Sequence, residues 1–181
     1  MIRSICAIVA SVLSLAAFTG CATAPDTAQG KADLENRAAL SLSKAKTADP
    51  TFDKFLARGY GCAVFPSVGK GAIGVGGAYG KGVLYQKETV VGYCDLSQAS
   101  IGFQLGGQAY TELIVLADKD AFDSFMAGHF TFSAQATAVA LKSGAAANAK
   151  FTAGAAAFTT DESGLMYEAS IGGQKFSYQA K

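Results

Sequence analysis

Gly61-Cys62-Ala63-Val64-Phe65-Pro66-Ser67-Val68 opens the stretch that decides the fold. Its first six residues, Gly61–Pro66, are an apolar run closed by proline and read as a strand. The next residues, 68–80, carry glycine at 69, 71, 74, 76, 77 and 80. Each glycine in a helix interior costs ~1 kcal/mol relative to alanine, so no helix forms there. Further runs follow at short intervals: Val83-Leu84-Tyr85, Thr89–Cys94, Ser100–Leu105 and Tyr110–Ala117. They are β-branched, aromatic or alternating, and Gly, Asp or Ser separates them, which is the pattern of strands. Regular strand–helix alternation is missing, so the sheet is expected to be mainly antiparallel and the class α+β.

Helices are expected on both sides of this block. Upstream, Leu34, Ala38, Leu42 and Ala45 make one apolar stripe over residues 31–47, spaced for a helix. Asp49-Pro50 reads as an N-cap followed by proline at the first helical position, for a short helix ending at Arg58 before Gly59. Downstream, Asp118 can cap a helix over 119–127 that Gly128 stops. Residues 130–141 alternate loosely and predict a long strand. Residues 142–149 are a small-residue loop. Lys150–Thr159 and Leu165–Ile171 predict two more strands, and the tail to Lys181 a last short piece.

The N-terminus reads as an address. After Met1-Ile2-Arg3, residues 5–18 carry no charge. They are too few for a transmembrane helix, which needs ~20, and suit the apolar core of a signal peptide. Thr19-Gly20-Cys21 follows and resembles the bacterial lipoprotein signal, in which the chain is cut before the cysteine and the cysteine is acylated. Phe18 stands where leucine is usual in that signal. An ordinary signal peptide with an incidental Cys21 is the alternative. The expected organisation is a signal peptide over 1–20, a flexible lipidated tether over 21–30 and one domain over 31–181. Ala22 in place of aspartate favours the outer membrane, facing periplasm or surface, by resemblance to enterobacterial lipoproteins.

Composition narrows the classes of function. The 181 residues carry 15 Lys+Arg and 14 Asp+Glu, half of them are hydrophobic, and one histidine is present, His129. That balance is too neutral for a nucleic-acid binder working by bulk charge. One imidazole excludes a multi-histidine metal site, and no cofactor is expected. A hydrolase would have to run through His129, which reads as a loop or edge residue between a helix stop and a strand. Gly69-Lys70-Gly71-Ala72-Ile73-Gly74 spells G-x-G-x-x-G, but the dinucleotide fingerprint needs a helix opening inside it. The chain is therefore expected not to be an enzyme.

Charge is split along the sequence, net +5 over residues 31–87 and net −4 over 88–181. Gathered on one surface, the basic half would attract anionic head groups, at about 1 kcal/mol per Lys or Arg. An evenly mixed, solvated surface is the alternative. Arg37 and Lys44 share a helix face with Leu40 beside them, a composition suited to a membrane surface and also to an ordinary exposed leucine. Lys70 and Lys81 flank the glycine-rich run, and Lys87 follows the next strand. Cys62 and Cys94 remain after export and lipidation. A disulfide between them is expected in an oxidising compartment; two buried free thiols are the alternative.

Gly61–Val68, the glycine-rich run to Gly82-Val83-Leu84, and Gly102-Phe103-Gln104-Leu105-Gly106-Gly107-Gln108 followed by Glu112-Leu113-Ile114-Val115-Leu116 resemble the SYLF domain over about residues 32–179. The chain departs from the pattern at Gly92-Tyr93-Cys94, where a tryptophan is common. The resemblance implies lipid binding without catalysis. Eukaryotic members bind phosphoinositides, in part through an N-terminal amphipathic helix, and some associate with actin; bacterial members are exported or lipid-anchored. The expected partners are membrane lipids with anionic or phosphoinositide-like head groups, contacted through Arg37, Leu40, Lys44, Lys70, Lys81 and Lys87. The alternative is a structural or protein-interaction module of the cell envelope.

Overall fold

A computed structural model describes residues 23–73, 75–101, 106–133, 136–161 and 169–181. Cys21, the motif residues Gly102–Leu105 and the start of the strand expected at Leu165 lie outside the described residues. The elements in order are α1 (Ala28–Ala48), α2 (Thr51–Arg58), β1 (Gly61–Ile73), β2 (Val75–Gln86), β3 (Thr89–Ile101), β4 (Gly106–Leu116), α3 (Lys119–Met126), β5 (Thr137–Ala140), β6 (Ala155–Asp161), β7 (Ala169–Ser170) and β8 (Lys175–Ala180), with a single 3-10 turn at Ala146–Asn148. The class is α+β. The strands form one sheet in the order β7-β5-β6-β4-β1-β2-β3-β8, and among the described pairings only β5 with β6 is parallel.

The connection from β7 to β8 shapes this sheet. These strands are its two margins, yet only Ile171–Gln174 lie between them. Four residues and their flanking bonds reach at most ~18 Å. Eight flat strands at ~4.8 Å spacing would need roughly 34 Å. The sheet therefore curls until its margins approach. Thr131, six residues before β5, forms a bridge with Lys175 on the opposite margin, and Ile171 N donates to Ala136 O.

Side chains alternate between two buried faces. Inside the curl lie Ala63, Phe65, Leu84, Cys94, Leu96, Ile114, Leu116 and Phe176, with Phe122 and Phe125 of α3 closing the space. On the outer face, α1 and α2 cover Val64, Val83, Tyr85, Tyr93, Leu113, Val115 and Phe158. Covering both faces makes the central strands read as apolar runs rather than clean alternations.

The glycine run is strand in both halves, paired from Gly61↔Gln86 to Ile73↔Val75 with a bulge between Val64 and Ser67. Close approach explains particular glycines. A Cβ on Gly82 would sit 2.6 Å from the Phe65 ring, and one on Gly92 would sit 2.5 Å from the Gln179 carbonyl. Aromatic rings and a neighbouring backbone occupy the places where side chains would stand.

Several boundaries differ from expectation. Thr89–Cys94 and Ser100–Ile101 belong to one strand, β3. Among the described residues between 130 and 141, the long strand is replaced by Thr137–Ala140 and an isolated bridge at Thr131, with Phe130 and Phe132 packed on Phe176. The expected strand at 150 starts at Ala155, after a turn in which Gly154 takes φ +84. Gly69–Ile73 runs as strand into β2, so the G-x-G-x-x-G spelling opens no helix.

Candidate functional site

The N-terminal helix lies on the outer face of the sheet through Leu34, Ala38, Ser41 and Ala45. Ser41 takes the buried place expected for Leu42, which is half-buried. Thr27 caps the helix, its Oγ1 accepting from Gly30 N. The opposite face carries Arg37, Leu40 and Lys44, all exposed, at i, i+3 and i+7. Leu40 is 57 % exposed, and it and Tyr79 are the two exposed large hydrophobic side chains among the described residues.

The structure places Lys70 on the opposite face of the sheet from Lys81, while Lys87 lines a cavity with Leu42 and Lys46 of α1. Lys70 pairs across strands with Ala78, which belongs to the core inside the curl. Lys81 pairs with Ser67 and Asp95 on the outer, α1-bearing side. Two lysines eleven residues apart across a hairpin thus point to opposite faces. Lys87 sits at the far end of that hairpin, in the β2–β3 turn, at φ 57. Other cations are committed locally. Lys46 pairs with Asp53 at 2.7 Å, Lys181 with Glu35 at 3.0 Å, Lys31 lies over the Tyr93 ring, and Arg58 lies over Phe55 and Phe151.

The expected disulfide is also not made. Cys62 and Cys94 are free and buried. They stand on β1 and β3 with β2 between them, opposite Tyr85 and Gly82 respectively. Strands two apart are separated by roughly 9–10 Å, beyond the ~7 Å limit on Cα separation for a bridge. Moreover, Cys62 faces the α1 side and Cys94 faces the interior of the curl. Burial pushes the Cys62 thiol up to about 12 and the Cys94 thiol well above its usual range, so neither is a thiolate at neutral pH.

A cavity of about 510 Å³ opens where α1, α2 and the β2–β3 turn meet. Leu42, Leu56, Cys62 and Tyr85 give it an apolar floor, and the Lys46–Asp53 pair stands on its rim. Burial raises Tyr85 to about 12. The Cys62 and Tyr85 protons are therefore held at neutral pH.

A second polar centre is fully buried inside the curl. Glu112 on β4 accepts a 3.0 Å hydrogen bond at Oε2 from Gln174 Nε2, in the connection between the sheet margins. Its Oε1 and the Oε1 of Gln174 have no partner. Burial raises the carboxyl from its ordinary 4.5 to about 7, against the opposing pull of hydrogen bonds from Gln174 and Tyr110 and the charge of Lys70. One acidic residue inside the apolar run Tyr110–Ala117 was its sequence signal; nothing in the run named Gln174 as its partner. His129 is exposed in the loop after α3, where its amide donates to Ser124 O.

The chain entering α1 is held rather than loose, against the expectation of a flexible tether as far as residue 30. Ala24 is buried and its amide donates to Gln179 Oε1 at 3.1 Å, while Lys81 Nζ donates to Thr23 O at 3.3 Å. Asp95 hydrogen-bonds Thr23 and accepts from Tyr79 OH at 3.2 Å. Burial of Asp95 raises its carboxyl, and Lys81, Thr23 and Tyr79 pull it back.

Comparison with known proteins gives two matches. Residues 97–181 match the Ysc84 family model, described as a Las17-binding protein actin regulator. The chain is 28 % identical over 154 residues to Beta cell expansion factor A of Aeromonas veronii, a match covering 84 % of this chain and 59 % of that protein. The chain thus spans about three-fifths of the relative's length.

Proposed function

We infer that this chain, a carrier of the SYLF (Ysc84) domain, is a lipid-anchored envelope protein that binds membrane lipid through the outer face of α1 and performs no catalysis. The domain family is one of lipid binding and actin regulation; a cell envelope offers the lipid. The observation that carries the reading is the exposed triad Arg37, Leu40 and Lys44. An apolar side chain 57 % exposed between two exposed cations has no role in the packing of α1, which the opposite stripe accomplishes. At a membrane the leucine enters the interface while the cations meet anionic head groups. Acylation of Cys21 would hold the domain at that surface, where even a weak surface contact operates at high effective concentration.

Vesicle sedimentation tests this. The soluble domain, without the acyl anchor, should bind anionic vesicles more weakly as salt rises. Arg37→Glu with Lys44→Glu should lower affinity roughly tenfold to thirtyfold, at about 1 kcal/mol per cation. Lys142→Glu with Lys150→Glu should do much less. Equal losses from both pairs refute a specific α1 surface. Binding to no vesicle favours the alternative, a protein-interaction module of the envelope.

A further inference from the structure

The outer face of the sheet is not covered along its whole length. Beyond the N-terminus of α1, the cross-strand row Gly69, Tyr79, Ser97 and Lys175 continues on the same side as Lys81 and Asp95. All four are exposed, Tyr79 by 46 %. The adjoining row is Ser67, Lys81, Asp95 and Ser177, with Asp95 buried under Thr23 and Tyr79. The exposed residues of this area are small apart from the Tyr79 ring and Lys175 at its margin.

The described chain begins on this area. Thr23 O takes the Lys81 ammonium, and Ala24 is buried against Gln179. Cys21 is two residues earlier, a reach of at most ~7 Å. Tyr79 is two residues from Lys81 along β2, also ~7 Å. Thr23 and the Tyr79 hydroxyl both hydrogen-bond Asp95, so an acyl group on Cys21 would be tethered close to Tyr79. A loose tether of ten residues would leave the domain free to turn; a tether pinned at Thr23 does not.

We propose that the sheet face around Tyr79, with Ser67, Gly69, Ser97 and Lys175, rests on the head-group layer of the membrane that receives the Cys21 acyl chains. This rests on the lipid-anchored reading above. Tyrosine is enriched at membrane–water interfaces; here Asp95 holds the hydroxyl, and the exposed part of the ring is what meets the head groups. Small side chains let the sheet lie close, and the exposed Lys175 meets phosphate.

The chain contains no tryptophan, so a single introduced indole reports one position. The acylated full chain should be reconstituted in phosphatidylethanolamine–phosphatidylglycerol vesicles carrying brominated acyl chains. Tyr79→Trp should shift its emission to shorter wavelength and be quenched, and Asp120→Trp on the distant α3 should show neither. Ser97→Trp, one strand over in the same row, reads the same surface if the Tyr79 variant folds poorly. Quenching of Leu40→Trp but of neither sheet variant overturns the proposal and leaves α1 as the lipid contact. Quenching of none, in protein that floats with the vesicles, overturns both contacts. Flotation that is absent, or unaltered in Cys21→Ser, refutes the anchor and the proposal with it.

Discussion

Glu112→Gln is expected to make the protein more stable at pH 8 than at pH 5, relative to the natural chain. The carboxyl is fully buried, with one oxygen unpartnered, and titrates at about 7 in the folded state against 4.5 in the unfolded chain. A raised carboxylic pKa means that the folded state holds the proton more tightly. Between these two values folding takes up a proton, so stability falls as pH rises from about 4.5 to about 7 and is flat above. The full penalty is about 3 kcal/mol, each pKa unit being worth ~1.4 kcal/mol. Glutamine keeps the shape and cannot ionise, and its amide can pair with Gln174, whose own Oε1 lacks a partner. Urea unfolding of both proteins at pH 5 and pH 8 cancels contributions from every other group. The stability difference should move in favour of the variant by between about 2 and 3 kcal/mol across that interval. A difference that stays constant would show that Glu112 does not carry a raised pKa and that water or an unseen partner reaches its free oxygen.

Other consequences can be checked with the same material. Asp49 is buried and its carboxylate accepts from Thr51 N, Thr51 Oγ1, Gly144 N and Ala146 N, at 2.9, 2.7, 3.1 and 2.7 Å. Burial pushes this carboxyl up, but those bonds outweigh it and hold it at about 2 against an ordinary 3.8. Its contribution is present above pH ~4 and lost as pH falls through about 2. Asp49→Ala should lower stability at pH 7 by about 3 kcal/mol, since buried amides lose a charged acceptor; a loss under ~1 kcal/mol would show that water replaces it. Cys62 and Cys94 should resist alkylation in the folded domain and both react in denaturant, without prior reduction. A non-reduced peptide joining them would overturn the strand register assigned to β1, β2 and β3.

The sequence determined what depends on neighbours along the chain. Spacing of Leu34, Ala38 and Ala45 set the buried stripe of α1 and left Leu40 outside. Asp118 and Gly128 bounded the third helix within a residue or two, because a cap and a left-handed stop act on one turn of backbone. Glycine density ruled out helix between 68 and 80, and composition brought out the antiparallel α+β class. Facing was a different matter. Whether Lys70 and Lys81 converge, or Cys62 and Cys94 bond, depends on register and on how many strands intervene. A shift of one residue turns every side chain over, and the bulge between Val64 and Ser67 makes such a shift. The partnership of Glu112 with Gln174 exists because the sheet curls and brings its margins together, and the place of Thr23 exists because β2, β3 and β8 align Lys81, Asp95 and Gln179 beneath it. These contacts join residues 58 to 155 positions apart. Long-range contacts are fixed by packing of the whole chain rather than by local preference, so only the tertiary structure decided them.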